Sequence, residues 1–307
     1  MGENNKKIGN KLEDFSEKLF KNFGWELLAK QLEIKCNDKN HKNSKNNEKQ
    51  THGIDLLFKY SNPFNNQKEA VIVECKNHKW EDFIPSKINL WIEELLNTVE
   101  CASCSEVING YIGDCSLKTG LLLFNSSDNE YNKERAIQNL SQVVVPRKKI
   151  ATMLLLADTL LIEKWYSLLD KLDEIKKNDI KDFGFIYPSI DSKWTKINCL
   201  IPELLFSDFI ITQHSEDIKT GNVTVTYEIK NIFCFDKVSK DAITYIESMI
   251  ETMQLASHNK DYKMYVYWYP ETSEDTTYIN NINKENDGEI KYIAMKNSRI
   301  SIVDNGL

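Results

Sequence analysis

Eighteen residues separate Asp55 from the triplet Glu74-Cys75-Lys76, and both ends of that interval lie in segments patterned like β-strands. In Ile54-Asp55-Leu56-Leu57-Phe58-Lys59-Tyr60, the apolar Ile54, Leu56, Phe58 and Tyr60 recur every second residue, which places Asp55 on the opposite face. Ala70-Val71-Ile72-Val73-Glu74-Cys75-Lys76 is rich in β-branched residues and turns Glu74 and Lys76, two apart, the same way. Between them Ser61 to Lys68 is dominated by turn formers, so the two strands are predicted to form a hairpin that brings Asp55 beside Glu74. Two clustered carboxylates repel. A hard divalent cation such as Mg²⁺ relieves the repulsion through their oxygens while keeping waters free to attack a phosphate, and Lys76 would stabilise the charge that grows there. The triplet by itself is also compatible with a plain solvent-facing ion pair.

The surroundings narrow the choice. Leu12, Phe15, Leu19, Phe20 and Phe23 recur at helical spacing in an acidic segment that Gly24 ends. A short strand or turn at Trp25-Glu26-Leu27-Leu28 follows. After the hairpin, Ile88, Trp91, Ile92, Leu95, Leu96 and Val99 predict a helix from about Pro85 to Cys101, and Leu121-Leu122-Leu123-Phe124 a buried strand. An α-β-β-β-α-β order results.

That order, with those residues in those places, resembles the restriction-endonuclease-like superfamily, the PD-(D/E)XK nucleases, and within it the Mrr-like branch. The matching residues are Gly9-x-x-Leu12-Glu13, Gly53-Ile54-Asp55 and Val73-Glu74-Cys75-Lys76. The resemblance covers roughly 100 to 125 N-terminal residues, about one small domain. It implies an α/β fold with a mixed sheet flanked by helices, and hydrolysis of DNA phosphodiester bonds with Mg²⁺ or Mn²⁺. It makes Asp55 and Glu74 metal ligands, Cys75 a ligand through its backbone carbonyl, Lys76 the catalytic lysine, and Glu13 a helix-borne acid supporting the site. It also implies a role in restriction or antiphage defence in prokaryotes. Two positions depart from the pattern: Ile54 stands where the namesake proline would, and Asn77 where a glutamine often follows the lysine.

The second half echoes the first. A shift of 154 positions aligns Glu74-Cys75-Lys76-Asn77 with Glu228-Ile229-Lys230-Asn231, and Ile92-Glu93 with Ile246-Glu247. At a shift of 160, Lys11-Leu12-Glu13 meets Lys171-Leu172-Asp173. Val223 to Lys230 alternates as a strand, a helix is expected from about Ser239 to Ala256 and a strand at Met264 to Tyr269, and Asp208 would stand for Asp55. Two tandem copies of one core are therefore expected, residues 1–147 and 148–307, joined by a helical stretch from about Lys148 to Lys177. The second copy would be active, degenerate or a built-in partner of the first.

Composition bounds the rest. At 307 residues and 41% hydrophobic, the chain has material for two packed cores. No run approaches eighteen apolar residues and the N-terminus has no apolar signal region, so a cytoplasmic protein without membrane attachment is expected. The seven cysteines are odd in number and scattered, as in a reducing compartment. Cys101-Ala-Ser-Cys104 has no evident further metal ligands and reads as neutral thiols at a helix end. There is no phosphate-cradling glycine motif and no nucleophile elbow.

A net charge of −7 sits awkwardly with nucleic-acid binding, which is mostly phosphate neutralisation. Residues 35 to 49, just ahead of Asp55, carry five lysines against two acids and form either a flexible phosphate-contacting arm or a solvated insertion. Arginines number three, at 135, 147 and 299, leaving few groups for guanine readout. A partner subunit that delivers the DNA is expected on that ground, and a homodimer because a double-strand break usually takes two sites, a need that the two cores of one chain would also meet. The alternative to an endonuclease is a non-catalytic nucleic-acid-binding or assembly subunit built on degenerate cores. His52 and His78 flank the acids and read as surface histidines beside strand ends, or else as an extra base or phosphate contact.

Overall fold

The computed structural model describes residues 2–43, 45–188, 194–220, 223–256, 262–285 and 290–297. Arg299 therefore lies outside the described residues. The chain divides into two compact units between Ile162 and Glu163.

In the first unit, helix α1 (Gly2–Asn22) buries Leu12, Leu19 and Phe20 on one face. Gly24 takes φ 84°, the left-handed conformation that a side chain would resist, and the Trp25 amide returns to the Phe20 carbonyl at 3.0 Å to close the helix. Strand β1 (Glu26–Lys35) then pairs antiparallel with β2 (Thr51–Asn62), and β2 pairs antiparallel with β3 (Gln67–His78). Helices α2 (Pro85–Ala102) and α3 (Glu106–Ile112) lead to β4 (Ser116–Ser126), parallel to β3. Helix α4 (Lys133–Leu140) leads to β5 (Met153–Ala157), parallel to β4. The sheet order is β1-β2-β3-β4-β5.

The predicted hairpin and α2 are present. The short strand expected at Trp25–Leu28 is instead ten residues long, with an irregularity between Leu27 and Ala29. The helical stretch expected from Lys148 begins instead with β5. An apolar run such as Met-Leu-Leu-Leu-Ala suits a helix or a buried strand equally, and pairing with β4 decides it.

The two faces of this sheet are packed differently. On the α1 side, Phe20 stacks on Trp25 at 4.4 Å between ring centroids and meets Phe58 edge-on at 5.6 Å. On the α2 side, Ile88, Trp91, Ile92, Leu95 and Val99 pack with Leu57, Ile72, Leu122 and Phe124. Gly120 leaves room for α2 to pack on β4, since a Cβ there would stand 3.0 Å from Leu95 Cγ. Gly120→Ala is therefore expected to force Leu95 off its rotamer and destabilise the fold by about 1–3 kcal/mol, read by denaturant unfolding.

The second unit repeats the plan. Helix α5 (Thr159–Lys176) precedes β6 (Ile180–Pro188), followed by β7 (Trp194–Ile197), the short α6 (Pro202–Leu205), β8 (Phe209–Thr220) and β9 (Val223–Cys234). Helix α7 (Lys240–Thr252), β10 (Tyr262–Trp268), α8 (Ser273–Glu285) and β11 (Ile290–Ala294) complete it. The order is β11-β10-β9-β8-β6-β7. From β6 the pairings run antiparallel to β8, antiparallel to β9, parallel to β10 and parallel to β11. That is the succession from β1 to β5, with β7 added on the edge. Helices α5, α7 and α8 occupy the places of α1, α2 and α4 in chain order. The fold is thus mixed α/β, with two mixed sheets flanked by helices, as two tandem nuclease-like cores require.

Candidate active site

The β2–β3 ladder runs from Asn62 opposite Gln67 to Leu56 opposite Val73 and stops there. Beyond that point β2 stays with β1 as far as Thr51, and β3 stays with β4 as far as His78, so the sheet forks between them. Asp55 and Glu74 are the first residues past the fork. Asp55 bridges the gap with its side chain, its Oδ2 accepting the Cys75 amide at 2.7 Å. Opening a ladder leaves amides that must be satisfied, and here a carboxylate replaces the lost backbone carbonyl.

The charges at the fork are held in a poorly solvated place. Lys76 Nζ donates to Glu74 Oε1 at 2.6 Å, with only 17% and 13% of the two side chains exposed, and Glu94 Oε2 on α2 lies 3.9 Å from the same ammonium. Burial pushes the Glu74 carboxyl up to about 7, with Lys76 opposing and Asp55 reinforcing the shift. Burial likewise raises Asp55; the Cys75 amide opposes this and Glu13 adds to it. Burial also works against the Lys76 charge, but the neighbouring Glu74 carboxylate outweighs it and lifts Lys76 above its ordinary range. Two acids that resist ionising next to each other form a donor set suited to a hard divalent cation. The residues at the fork fit such an ion.

Glu13 is brought to this place from α1. It is 9% exposed, its charge reaches Asp55, and Gln31 Nε2 donates to its Oε2 at 3.0 Å. Gln31 sits on β1 between the pairs Lys30–Leu56 and Leu32–Ile54, with φ 49°. A non-glycine residue in that conformation inside a strand is strained, and it sits where its amide steadies Glu13. The Cys75 thiol turns instead toward α1, 3.7 Å from Ser16 Oγ, and burial pushes it well up, so only its backbone is oriented with the acids.

The two flanking histidines part ways: His52 corrects the surface reading, while His78, exposed at the end of β3, keeps to it. His52 is wholly buried, and burial holds it down to about 4. His78 stacks on Trp91 at 5.2 Å and places Nδ1 3.3 Å from Asp82 Oδ2.

The second core does not assemble the set expected of it. Lys230 Nζ meets Glu228 Oε1 at 2.9 Å and the Leu255 carbonyl at 2.8 Å, but the residue facing Glu228 is Ser215. Asp208 precedes β8 and faces Phe235, so it lies about 20 Å along the strand from Glu228 at ordinary strand rise. The β8–β9 ladder also runs unbroken from Phe209–Cys234 to Thr220–Val223, with no fork at Glu228. Spacing along the sequence pointed to Asp208, and strand register overrules it.

A forked mixed sheet with an acid on each tine and a lysine two residues on defines the PD-(D/E)XK nuclease class. Residues 1–159, more than half of the chain, match the PD-(D/E)XK nuclease domain of the GAPS4 protein, and the chain belongs to that family. No curated relative matches it. Nucleases of this class use divalent metals. The match covers the first core, which holds the fork, and ends as α5 begins.

A second cluster in the first unit was hidden from spacing arguments. Cys36, His41, His52 and Cys101 bring one potential ligand atom each to within 4.8 Å of one another. Cys101 thus finds its neighbours on β2 and in the β1–β2 connection, while Cys104 is exposed and apart from them. The signal available in the sequence was Cys36-x-x-x-x-His41 just ahead of His52, not the CxxC.

Proposed function

We propose that the first core is an Mg²⁺-dependent endonuclease acting on DNA, serving as a restriction or antiphage-defence effector in the cytoplasm. The observation that carries this reading is the fork itself: Asp55 and Glu74 stand on parted strands, poorly solvated, with Lys76 held against Glu74. Asp55, Glu74 and the Cys75 carbonyl would hold the ion, which supplies charge neutralisation and an activated water when bound. Lys76 orients the nucleophile and stabilises charge developing on the phosphate. Glu13, held by Gln31, keeps Asp55 in place. The DNA backbone is met by exposed lysines of the β1–β2 connection, Lys39, Lys42 and Lys45, and a second copy or a partner subunit adds the positive surface that an acidic chain lacks.

Cleavage of DNA in Mg²⁺ or Mn²⁺ that stops on chelation, and stops in Asp55→Asn, tests the proposal. Chelator-resistant cleavage, or an active Asp55→Asn, would rule it out. The pH dependence of metal binding follows from Glu74. Its proton must leave before the ion enters, so Mn²⁺ affinity is expected to rise by up to tenfold per pH unit below about 7 and to level off above it. Titration calorimetry from pH 5.5 to 8.5 reads this, and Glu74→Gln should flatten the profile.

A second reading, that the second core is a binding or assembly element, has its own support in the closed β8–β9 ladder and the absence of an acid facing Glu228. Both readings hold together in one chain.

A further inference from the structure

We propose that Cys36, His41, His52 and Cys101 form a zinc site that pins the lysine-bearing β1–β2 connection to β2 and α2. The proposal is independent of the nuclease reading, since none of the four residues belongs to the fork.

The distances are those of ligands around one ion. Cys36 Sγ and Cys101 Sγ stand 3.9 Å apart, and each lies 3.4 Å from His41 Nδ1. A tetrahedral zinc with Zn–S of about 2.3 Å and Zn–N of about 2.0 Å requires S···S of about 3.8 Å and S···N of about 3.5 Å. A disulfide would need the sulfurs at about 2 Å, and both cysteines are free. Four ligand atoms within 4.8 Å of one another leave room for a single ion and not for a multi-iron cluster. Two thiolates and two imidazoles suit zinc, whereas the oxygen-seeking Mg²⁺ of the fork would not compete for them.

The hydrogen bonding says which atoms are left over. Thr98 Oγ1 donates to the Glu94 carbonyl at 2.8 Å, so toward His52 Nδ1, 3.4 Å away, it serves as acceptor. That arrangement puts the imidazole proton on Nδ1 and leaves a lone pair on Nε2. His52 Nε2 is buried and has no partner among the described residues. A buried, unprotonated nitrogen without a donor carries a desolvation cost that a metal bond removes. His41 is arranged the complementary way: Nδ1 faces both sulfurs, and Nε2 lies 3.3 Å from Glu100 Oε2. A carboxylate behind the far nitrogen fixes the tautomer and ring orientation of a metal-bound histidine. The Asn37 amide points at Cys101 Sγ from 3.4 Å, a donor suited to a thiolate, while Cys36 Sγ lies 3.3 Å from the Asp38 carbonyl.

The consequence is mechanical. Cys36 directly follows β1, His41 sits inside the connection, His52 lies on β2 three residues before Asp55, and Cys101 lies in the last turn of α2. The connection is closed on itself as well, Lys49 N–H donating to the His41 carbonyl at 2.8 Å. The segment expected as a flexible arm or a solvated insertion is therefore a tied finger that holds its lysines in place, and the tie also anchors the end of β2 that carries Asp55.

The test is metal analysis of the full-length protein purified under reducing conditions without added metal. One equivalent of zinc is expected, together with a cobalt-substituted form showing intense visible bands and thiolate-to-cobalt charge transfer of a tetrahedral S₂N₂ site. His41→Cys should keep the metal and add a third thiolate to that spectrum. Glu100→Gln should weaken zinc binding by roughly 10- to 100-fold. Cys36→Ser with Cys101→Ser should abolish it. A wild-type protein that takes up neither zinc nor cobalt overturns the proposal without reliance on any variant. So would undiminished zinc in the double serine variant, or a Cys36–Cys101 disulfide in the reduced preparation. Because the readouts are stoichiometry and spectrum, a protein that binds zinc yet fails to cut DNA would leave this site standing and sink only the nuclease reading.

Discussion

Lys76→Ala is expected to lower DNA cleavage by at least about 10²–10³-fold, the usual loss when a positioned group that stabilises transition-state charge is removed. Lys230→Met is expected to leave cleavage at the wild-type level. The two lysines occupy like places in their Glu-x-Lys triplets, yet their surroundings differ. Lys76 lies beside two raised acids at an open fork, whereas Lys230 sits on a closed ladder with its ammonium spent on Glu228 and the Leu255 carbonyl. Initial rates on plasmid DNA, with circular dichroism to verify folding, measure both. Loss of cleavage in Lys230→Met alone would move the chemistry to the second core.

The second large effect is structural. Phe20→Ala should destabilise the first unit by about 3–5 kcal/mol, since a fully buried ring that stacks on Trp25 and meets Phe58 edge-on is replaced by a cavity. Helix α1 is held to the sheet through this cluster and carries Glu13 to the fork. Denaturant unfolding should therefore show the loss, and cleavage should fall at temperatures where wild type is unaffected. Phe20→Leu, which keeps most of the apolar volume, should recover much of both. A Phe20→Ala protein as stable as wild type would mean that α1 is not docked as described.

The site was legible in the sequence where it depends on local pattern. Alternation around Asp55 and along Ala70–Lys76, with a turn-rich link between, is short-range information, and it brings the two acids together because the link is short and the ladder keeps one register from Asn62–Gln67 to Leu56–Val73. Glu13 was legible only through resemblance to a family, since a helix-borne acid has no pattern of its own. The duplication was visible as a drifting offset, and strand directions now support it. What failed was register: Asp208 lies twenty residues before Glu228, much as Asp55 lies nineteen before Glu74, but an unbroken ladder sends it to face Phe235. Strand β5 was missed because the apolar run from Met153 to Ala157 has no period to tell a buried strand from the start of the helix that follows it. The Cys and His cluster was missed because its members come from a strand end, a connection, a second strand and a helix, and only the fold brings Cys101 back to Cys36.

The most direct test of the central claim is incubation of the purified wild-type protein with supercoiled plasmid, phage DNA and RNA in Mg²⁺ or Mn²⁺, beside an Asp55→Ala, Glu74→Ala double variant. Nicking or linearisation of DNA by the wild type, with RNA intact and the double variant inert, is the result expected. DNA left whole by the wild type in either metal, or cut equally by the double variant, would contradict the account.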